Sequence, residues 1–399
     1  MKYVVLLGDG MSDHPIESLG GKTPLECAKT PNMDFMASNG LIGQVQTIPE
    51  GFPPGSDVAN LSVFGYEIVK YYTGRSPLEA ASMGVALGPE DVAYRCNFVT
   101  LSEGMGGLIM EDFSGGHIST EEAAELIAEL QASLGNDEFE FHPGVSYRHL
   151  LVWKGGRDRL ETTPPHDISD RLVTPHFPKG DGADALCSLM QRSRAILENS
   201  AVNKRRVADG KKPANSIWLW GQGKAPKMPD YKSRYGLTGA VISAVDLLKG
   251  IGVYAGLDII DVPGATGYID TNYVGKAEYA LKALETRDYV YLHVEAPDEA
   301  AHSGSLENKI KAIEDFDEKV VGTVLEGIKR FGDYRLIVLP DHATPVDTKT
   351  HASDPVPFAI YPSPAGDAAP SGNAYNEKAA REASLLIGDG PSLMKLFLK

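Results

Sequence analysis

The sequence has few cysteines, and nothing in it suggests that they pair. Cys27, Cys96 and Cys187 are widely spaced and odd in number, and no CxxC occurs. This pattern argues against a disulfide scaffold and predicts a reduced protein, with the cytoplasm as its location. At 399 residues, the chain can bury a large core without disulfides or structural metals.

Positive charge and long apolar runs are also scarce. The chain has 38 Lys and Arg against 54 Asp and Glu, a net charge of −16. This balance argues against a general nucleic-acid binder with a broad basic face, although a local basic pocket for a small anion remains compatible with it. The apolar run at residues 3–7 is too short for a membrane span or a signal-peptide core. We therefore predict no nucleic-acid and no membrane partner, and the sequence leaves the oligomeric state open.

Two common catalytic motifs are missing. No GxSxG occurs, so a serine esterase is not indicated. The segment Gly221-Gln222-Gly223-Lys224 lacks the GxxxxGK[ST] spacing of a phosphate-binding loop, and we interpret it as a turn.

Short apolar runs alternate with helical stretches along most of the chain. Four of these runs are typical of buried parallel strands: 3–7, 216–220, 288–295 and 335–340. Apolar residues at helical spacing predict helices over four segments: 121–134, 239–251, 273–284 and 306–331. This alternation predicts an α/β fold with a mostly parallel sheet flanked by helices.

The middle of the chain differs from both ends. Its strands are short, with candidates at 94–101 and 147–154, and His, Arg, Gly and Pro are scattered among them. We predict a smaller inserted α+β domain over 91–209, between the two parts of a core domain, 1–90 and 210–399. Residues 363–372 are predicted to form a surface loop.

Carboxylates and imidazoles follow three of the predicted strands. In sequence order these residues are Asp9, then Asp298 and His302, then Asp341, His342 and His351. Because functional groups of open α/β sheets lie at the carboxyl ends of strands, we expect these side chains to share one edge. A single His in such a position is more often a hydrogen-bonded structural residue, but the joint placement favours a metal site.

Six ligands exceed what one catalytic ion with open positions needs. Two divalent ions about 4 Å apart, clamping a phosphoryl group, fit the number better. Mn²⁺ is our first choice because Asp and His provide the ligands and Cys does not. Zn²⁺, Mg²⁺ and Co²⁺ are the alternatives.

Ser56 is the candidate nucleophile. It follows Pro53-Pro54-Gly55 and precedes a predicted helix over 57–64, so we expect it at the helix N-cap. A helix N-terminus favours an alkoxide and a phosphate. Plain capping is the competing interpretation, because Ser is a preferred N-cap residue.

These residues together resemble a known superfamily. Gly8-Asp9-Gly10, Thr30-Pro31-Asn32-Met33-Asp34, Ser56 and the Asp and His residues above are similar to the motifs of the alkaline phosphatase superfamily. Three further strings resemble the cofactor-independent phosphoglycerate mutases, in their shorter archaeal-type form. They are Pro53-Pro54-Gly55-Ser56-Asp57, Pro263-Gly264-Ala265-Thr266-Gly267 and Glu295-Ala296-Pro297-Asp298-Glu299.

The resemblance implies an alkaline-phosphatase-like core and a role for each matching residue. Asp9, Ser56, Asp341 and His342 would bind one ion, and the second ion would be bound by Asp298, His302 and His351. Ser56 would form a phosphoserine while 3-phosphoglycerate and 2-phosphoglycerate interconvert, a step of glycolysis and gluconeogenesis.

The resemblance also implies that the inserted domain binds the small phosphorylated substrate. Gly115-Gly116-His117 resembles a substrate-histidine motif, and Arg148, Arg206 and Lys249 are the basic candidates. The inserted domain has seven Lys or Arg between residues 192 and 212, which suit phosphate and carboxylate but are also typical of a solvated helix face.

Other functions remain open at this point. A related branch is proposed to act as homoserine kinases, in which homoserine would accept the phosphoryl group. In a metal-dependent phosphatase or phosphonate hydrolase, water would be the acceptor. A non-catalytic protein that kept the fold is the remaining alternative, but all six expected ligands and the serine are present.

Overall fold

The computed structural model describes residues 1–362 and 371–399. Of the predicted surface loop at 363–372, residues 363–370 lie outside the described residues. The strands in these ranges are β1 Lys2–Gly8, β2 Leu41–Val45, β3 Val92–Gly104, β4 Gly107–Asp112, β5 Phe139–Val145, β6 Arg148–Trp153, β7 Leu160–Glu161, β8 Lys179–Gly180, β9 Ser216–Lys224, β10 Gly239–Ile242, β11 Asp258–Ile259, β12 Tyr289–Val294, β13 Tyr334–Leu339, β14 Val356–Pro362 and β15 Leu386–Ile387.

The α-helices in the same ranges are α1 Pro24–Cys27, α2 Pro31–Asn39, α3 Ser56–Val63, α4 Ile68–Tyr71, α5 Ser76–Ser82, α6 Thr120–Leu134, α7 Ala183–Leu197, α8 Ala201–Ala208, α9 Tyr231–Tyr235, α10 Asp246–Tyr254, α11 Tyr273–Ala283, α12 Ala296–His302, α13 Leu306–Asp315, α14 Gly322–Gly327, α15 Glu377–Glu382 and α16 Gly390–Phe397. A π-helical segment, Phe316–Val321, joins α13 to α14. The 3₁₀ helices are Glu17–Leu19, Pro165–Ile168, Thr174–His176 and Ile328–Phe331.

The described chain folds into two compact units. The larger unit comprises Met1–Tyr72 and Lys227–Lys399, and the smaller unit comprises Thr73–Pro226. The predicted boundaries at 90/91 and 209/210 differ from these: the smaller unit begins earlier, at Thr73, and ends later, at Pro226. Both flanking segments belong to the smaller unit because α5 packs on β3 and β9 pairs with β3.

An eight-stranded sheet forms the centre of the larger unit, in the order β11-β10-β12-β1-β13-β14-β2-β15. Only β14 runs antiparallel to its paired neighbours, so the predicted mostly parallel α/β fold is confirmed. β1 lies between β12 and β13, and Val4, Val5, Leu6 and Leu7 are fully buried. This central position explains why the strand is a continuous apolar run.

The predicted helix over 306–331 is one helical run that changes its winding. It passes from α13 through the π-helical segment into α14 and a final 3₁₀ turn. Apolar residues of this run, including Phe316 and Val320, pack into the core of the larger unit. In the π-helical segment, Asp317 accepts hydrogen bonds from the backbone N–H groups of Asn32 and Met33 (3.2 and 2.7 Å). The Thr-Pro-Asn-Met-Asp motif is therefore anchored structurally at the start of α2.

The smaller unit contains a five-stranded antiparallel sheet. β4, β3, β6 and β5 are consecutive neighbours, and β9 pairs with β3. α6 packs on β5 and α7 on β9, which buries an apolar core that includes Trp218 and Leu186. The predicted strand at 216–220 therefore belongs here and not to the parallel sheet. Apolar periodicity alone cannot distinguish a central antiparallel strand from a parallel one.

A second correction concerns the helix predicted over 239–251. The structure has strand β10 in the first part of this segment and helix α10 only from Asp246. The four residues of β10 are buried between β11 and β12, so their apolar character reflects a central strand.

Two further observations concern membrane-spanning helices and cysteines. Within residues 1–362 and 371–399, no helix has the length and apolar character needed to cross a membrane. Cys27, Cys96 and Cys187 are free thiols.

Candidate metal centre

Three neighbouring strands bring the predicted ligands to one edge of the large sheet. Asp9 follows β1 directly, and Asp341 and His342 follow β13. After β12 the chain enters α12, in which Asp298 and His302 lie one turn apart. His351 comes from the loop after β13, where an isolated bridge between residues 343 and 352 returns the chain towards His342. The rings of His342 and His351 have centroids 4.2 Å apart.

One group of candidate ligands surrounds the Nε2 atom of His342. This atom lies 3.5 Å from Asp9 Oδ1, 3.3 Å from Asp341 Oδ2 and 3.2 Å from Ser56 Oγ. Asp9, Asp341 and His342 are fully buried, and Ser56 is partly exposed. These four residues are the set that the resemblance implied for one ion.

The other three predicted ligands form a second group beside the first. Asp298 Oδ2 lies 3.1 Å from His302 Nε2, and Asp298 Oδ1 lies 3.7 Å from His351 Nε2. The Nε2 atoms of His302 and His351 face each other at 2.9 Å. The carbonyl of Lys349 can only accept a hydrogen bond, so His302 Nδ1, 2.9 Å away, carries a proton.

The electrostatics of both groups suit divalent cations. Burial raises the pKa of Asp9 well above its ordinary value, and the nearby carboxylates Asp341 and Glu295 raise it further. Asp9 Oδ1 is buried and has no hydrogen-bond partner. In the second group, the hydrogen bond to Asp298 raises the pKa of His302 to about 9. Cations would neutralise the crowded carboxylates and replace the proton between the facing imidazoles, so the described residues fit metal ions.

Ser56 is held by the helix that it begins. It is the first helical residue of α3 and Gly55 is the N-cap, so the N-cap prediction for Ser56 was wrong by one position. One turn later, Asn60 donates from Nδ2 to the Ser56 carbonyl (2.9 Å) and to Asp341 Oδ2 (2.7 Å). Tyr291 donates its hydroxyl to Asn60 Oδ1 (2.6 Å). Sequence reasoning missed Asn60, although its i,i+4 spacing from Ser56 was a usable signal.

His293 and Glu295, at the end of β12, were also missed. His293 Nε2 lies 2.8 Å from Asp9 Oδ2 and 3.4 Å from Glu295 Oε2. Burial raises the pKa of Glu295 to about 8, and the Asp298 charge adds to this effect. Lys276 donates to the His293 carbonyl (3.1 Å), and burial lowers its pKa to about 8. The end of β12, which leads into the helix of Asp298 and His302, thus also places His293 against Asp9.

His117 and Arg206, both in the smaller unit, have different environments. His117 is exposed and has a positive φ of 47°, an uncommon conformation for a residue other than glycine. Arg206 is buried, and its guanidinium donates to the carbonyls of Gly115 and Gly116 (2.9 and 3.2 Å) and to Glu122 (2.5 Å). Arg206 was predicted as a substrate contact, and in the structure these donors hold the turn before His117.

The other two basic candidates are placed as follows. Arg148, in the smaller unit, is exposed at the start of β6, and its guanidinium lies over the ring of Tyr147, 5.4 Å from the centroid. Lys249, on α10 of the larger unit, pairs with Asp261 at 2.7 Å. The structure therefore leaves the guanidinium of Arg148 towards solvent and gives the ammonium of Lys249 an acidic partner.

A basic and aromatic cluster in the smaller unit escaped the sequence analysis. Arg95 stacks over the Trp220 ring at 4.5 Å, and the His166 ring meets the same indole edge-on at 5.4 Å. Burial lowers the pKa of His166, and the charges of Arg95 and Arg75 lower it further. Burial lowers the pKa of Arg95 to about 10. The Glu79 carboxylate, 3.0 Å from Arg95 Nε, raises this pKa, and the charges of Arg75 and Arg148 lower it.

Comparisons with known proteins identify the family to which this chain is similar. Residues 37–203 match the sequence profile of a family described as 2,3-bisphosphoglycerate-independent phosphoglycerate mutase. Over their full lengths, the chain is 58% identical to a Geobacter sulfurreducens protein named as a probable enzyme of this kind. It is 55% identical to a Methanothrix thermoacetophila protein with the same enzyme name, again over the whole of both chains.

Two solved structures have the same overall fold. A Pyrococcus horikoshii protein matches with a TM-score of 0.84 and 28% identity, covering 100% of this chain and 96% of that one. The cofactor-independent phosphoglycerate mutase of Thermoplasma acidophilum matches with a TM-score of 0.65 and 27% identity, covering 100% and 99%.

Proposed function

This chain belongs to the 2,3-bisphosphoglycerate-independent phosphoglycerate mutase family, and we propose that it interconverts 3-phosphoglycerate and 2-phosphoglycerate through a phosphoserine at Ser56. The observation that carries this proposal is the position of Ser56 Oγ, 3.2 Å from His342 Nε2 within the first ligand group. The names of the relatives give no support to the homoserine kinase or phosphatase alternatives. The cytoplasmic location stays a prediction from the cysteine pattern.

The seven predicted ligands would hold two divalent ions. Asp9, Ser56, Asp341 and His342 would bind one ion, and Asp298, His302 and His351 the other. When bound, such ions lower the pKa of a coordinated hydroxyl and stabilise charge on a phosphoryl group. We propose Mn²⁺ as the native metal because the ligands combine carboxylates with imidazoles, and Zn²⁺, Mg²⁺ and Co²⁺ remain its competitors.

Ser56 acts as a temporary carrier of the phosphoryl group. Its Oγ loses its proton and forms a bond to phosphorus, while the ester bond to one glycerate oxygen breaks and that oxygen takes up a proton. The other glycerate hydroxyl then attacks the same phosphorus and loses its proton, while the bond from phosphorus to Ser56 Oγ breaks and Oγ takes up a proton again. The N-terminus of α3 favours the phosphate, and the Asn60 hydrogen bond to the Ser56 carbonyl keeps this turn in place.

In the smaller unit, we propose that Arg148 and His117 contact the substrate. The chain segments that contain these two residues are joined, because Ser146 donates to the carbonyl of Ile118 (2.8 Å). Guanidinium groups match carboxylate and phosphate by paired hydrogen bonds. Lys249 of the larger unit stays a candidate contact, and its ion pair with Asp261 would break when it binds substrate. Arg206 positions the turn that precedes His117.

A Ser56→Ala variant tests the covalent step. Turnover of 3-phosphoglycerate should fall by several orders of magnitude, because the covalent route is removed. Mass spectrometry of wild-type protein quenched with substrate should find phosphate on the peptide that contains Ser56. Ser62→Ala is the matched control, because Ser62 lies on the same helix and its hydroxyl accepts from the Gly390 N–H. Near-normal turnover by a folded Ser56→Ala protein would show that another group is the nucleophile.

An Arg148→Ala variant tests substrate binding. The KM for 3-phosphoglycerate should rise about 10- to 100-fold, the loss expected when a charged hydrogen bond to substrate is removed. Arg148→Lys should recover part of this loss, since it keeps the charge but not the paired donors. Arg192→Ala on α7, also exposed, is the control. If Arg148→Ala and Arg192→Ala have the same KM as wild type, Arg148 does not bind substrate.

A further inference from the structure

Thr344 connects the two ligand groups of the metal centre. Its side chain is fully buried, two residues after His342. Its backbone is fixed on both sides: its N–H donates to the Ser12 carbonyl (3.0 Å), and its carbonyl accepts from Lys309 Nζ (2.8 Å). The position of its hydroxyl is therefore set by the fold of the loop.

The directions of the two hydrogen bonds at this hydroxyl follow from valence. Thr344 Oγ1 lies 2.5 Å from Asp298 Oδ1 and 3.1 Å from His342 Nδ1. An ionised carboxylate can only accept, and a threonine hydroxyl has a single proton. That proton is donated to Asp298, so the hydroxyl can only accept from His342. Nδ1 of His342 is then the protonated nitrogen, and the lone pair of Nε2 faces Ser56, Asp9 and Asp341.

We propose that Thr344 is a positioning residue that sets the ring tautomer of His342 and joins the two ligand groups of the metal centre. This inference rests on the proposed function, because it assigns each group to an ion. Through one hydroxyl, Thr344 orients a ligand of each ion: His342 for the first and Asp298 for the second. Loss of the hydroxyl should therefore weaken the binding of both ions.

The neighbouring backbone is built to allow this contact. Gly10 has a φ of +60°, and a Cβ atom there would lie 2.5 Å from Asp298 Oδ1 and 2.7 Å from Thr344 Oγ1. Any side chain at position 10 would therefore displace the hydrogen bond between Thr344 and Asp298. The glycine after Asp9 is explained by this close approach as well as by its conformation.

The first test is nuclear magnetic resonance of metal-free protein labelled with ¹⁵N in its histidines, above the ordinary histidine pKa of about 6.5. A His342→Asn variant, used only for assignment, identifies the signals of His342. The wild type should show His342 as the Nδ1–H tautomer. An Nε2–H tautomer in the wild type would overturn the proposal. This measurement needs neither metal nor activity, so its result is independent of the proposed function.

The second test compares variants by calorimetric titration with Mn²⁺. Thr344→Val removes the hydroxyl at nearly constant shape and should raise the dissociation constants of both ions about 10- to 100-fold, as expected for partners of metal ligands. Thr344→Ser keeps the hydroxyl and should stay close to wild type. Thr348→Val is the matched control, because this exposed residue of the same loop donates to the carbonyl of Pro345.

Each outcome of the titration supports or overturns the role proposed for Thr344. Wild-type affinity and an unchanged His342 tautomer in Thr344→Val would overturn it. An equal loss in Thr344→Ser and Thr344→Val would also overturn it, because the packing of the side chain, and not its hydroxyl, would then be the cause. If Thr344→Val does not fold, the proposal is judged by the two other measurements. The His342 tautomer of the wild type should be Nδ1–H, and Thr344→Ser should bind Mn²⁺ with nearly wild-type affinity. Wild-type protein that binds no ion would refute the metal centre of the proposed function and leave the tautomer result standing.

Discussion

A Lys309→Met substitution measures how much stability one buried ion pair gives to the larger unit. The Lys309 ammonium is fully buried and lies 2.8 Å from Asp13 Oδ2, and it also donates to the carbonyls of Ser12 (3.1 Å) and Thr344 (2.8 Å). The side chain of Asp13 is only 1% exposed. Without Lys309, the same oxygen of Asp13 keeps the Val346 N–H as a donor (3.1 Å) but remains a buried charge.

The expected cost follows from this loss of charge compensation. Removing one partner of a buried pair costs about 3–5 kcal/mol in free energy of unfolding. The double variant Asp13→Asn/Lys309→Met removes the remaining charge as well. It should be less destabilised than the single variant by at least about 1–2 kcal/mol, even though it contains one more substitution.

Urea unfolding followed by far-ultraviolet circular dichroism measures the effect. The chain has three tryptophans, Trp153, Trp218 and Trp220, and all lie in the smaller unit. Their fluorescence therefore reports on the unit that lacks the substitution and serves as an internal control. A Lys309→Met cost below about 1 kcal/mol, or a double variant less stable than the single one, would refute the assumption of an uncompensated buried charge.

The remaining predictions concern metal and pH. Exhaustive chelation should abolish mutase activity and Mn²⁺ should restore it; activity without bound metal by elemental analysis would contradict the two-ion centre. Mn²⁺ titration of unbuffered metal-free protein near neutral pH should release protons, because the hydrogen bond to Asp298 raises the pKa of His302 to about 9, and His302→Ala should release fewer. Burial lowers the pKa of His149 in the smaller unit to about 3, below its unfolded value of about 6.5. The unfolded state therefore binds the extra proton, so the stability of this unit should be fully present above about pH 6.5 and fall by up to about 1.4 kcal/mol per pH unit towards pH 3. Tryptophan-monitored unfolding should show this slope, and a His149→Gln variant that keeps it would exclude His149 as its source.

The convergence of the candidate ligands could be predicted because their positions follow from local pattern and sheet geometry. Each of β1, β12 and β13 is a recognisable apolar run, and parallel neighbours end at the same edge. Residues that come within two positions of these strand ends, such as Asp9 and Asp341, must then approach one another. The same logic predicted the mostly parallel sheet and the smaller insertion, but it misassigned β9, whose apolar pattern suits either sheet.

Asn60, Thr344 and Arg206 could not be recognised in the same way. Asn60 bonds Asp341 across 281 positions in the chain, and Thr344 bonds Asp298 across 46. A basic residue in a charged run is typical of a substrate contact or of a solvated face, yet Arg206 is buried and bonds the turn around Gly115, 91 positions away. Periodicity and spacing report which residues are buried and where elements begin and end. Which donor meets which acceptor depends on contacts between distant segments, and only the folded chain specifies them.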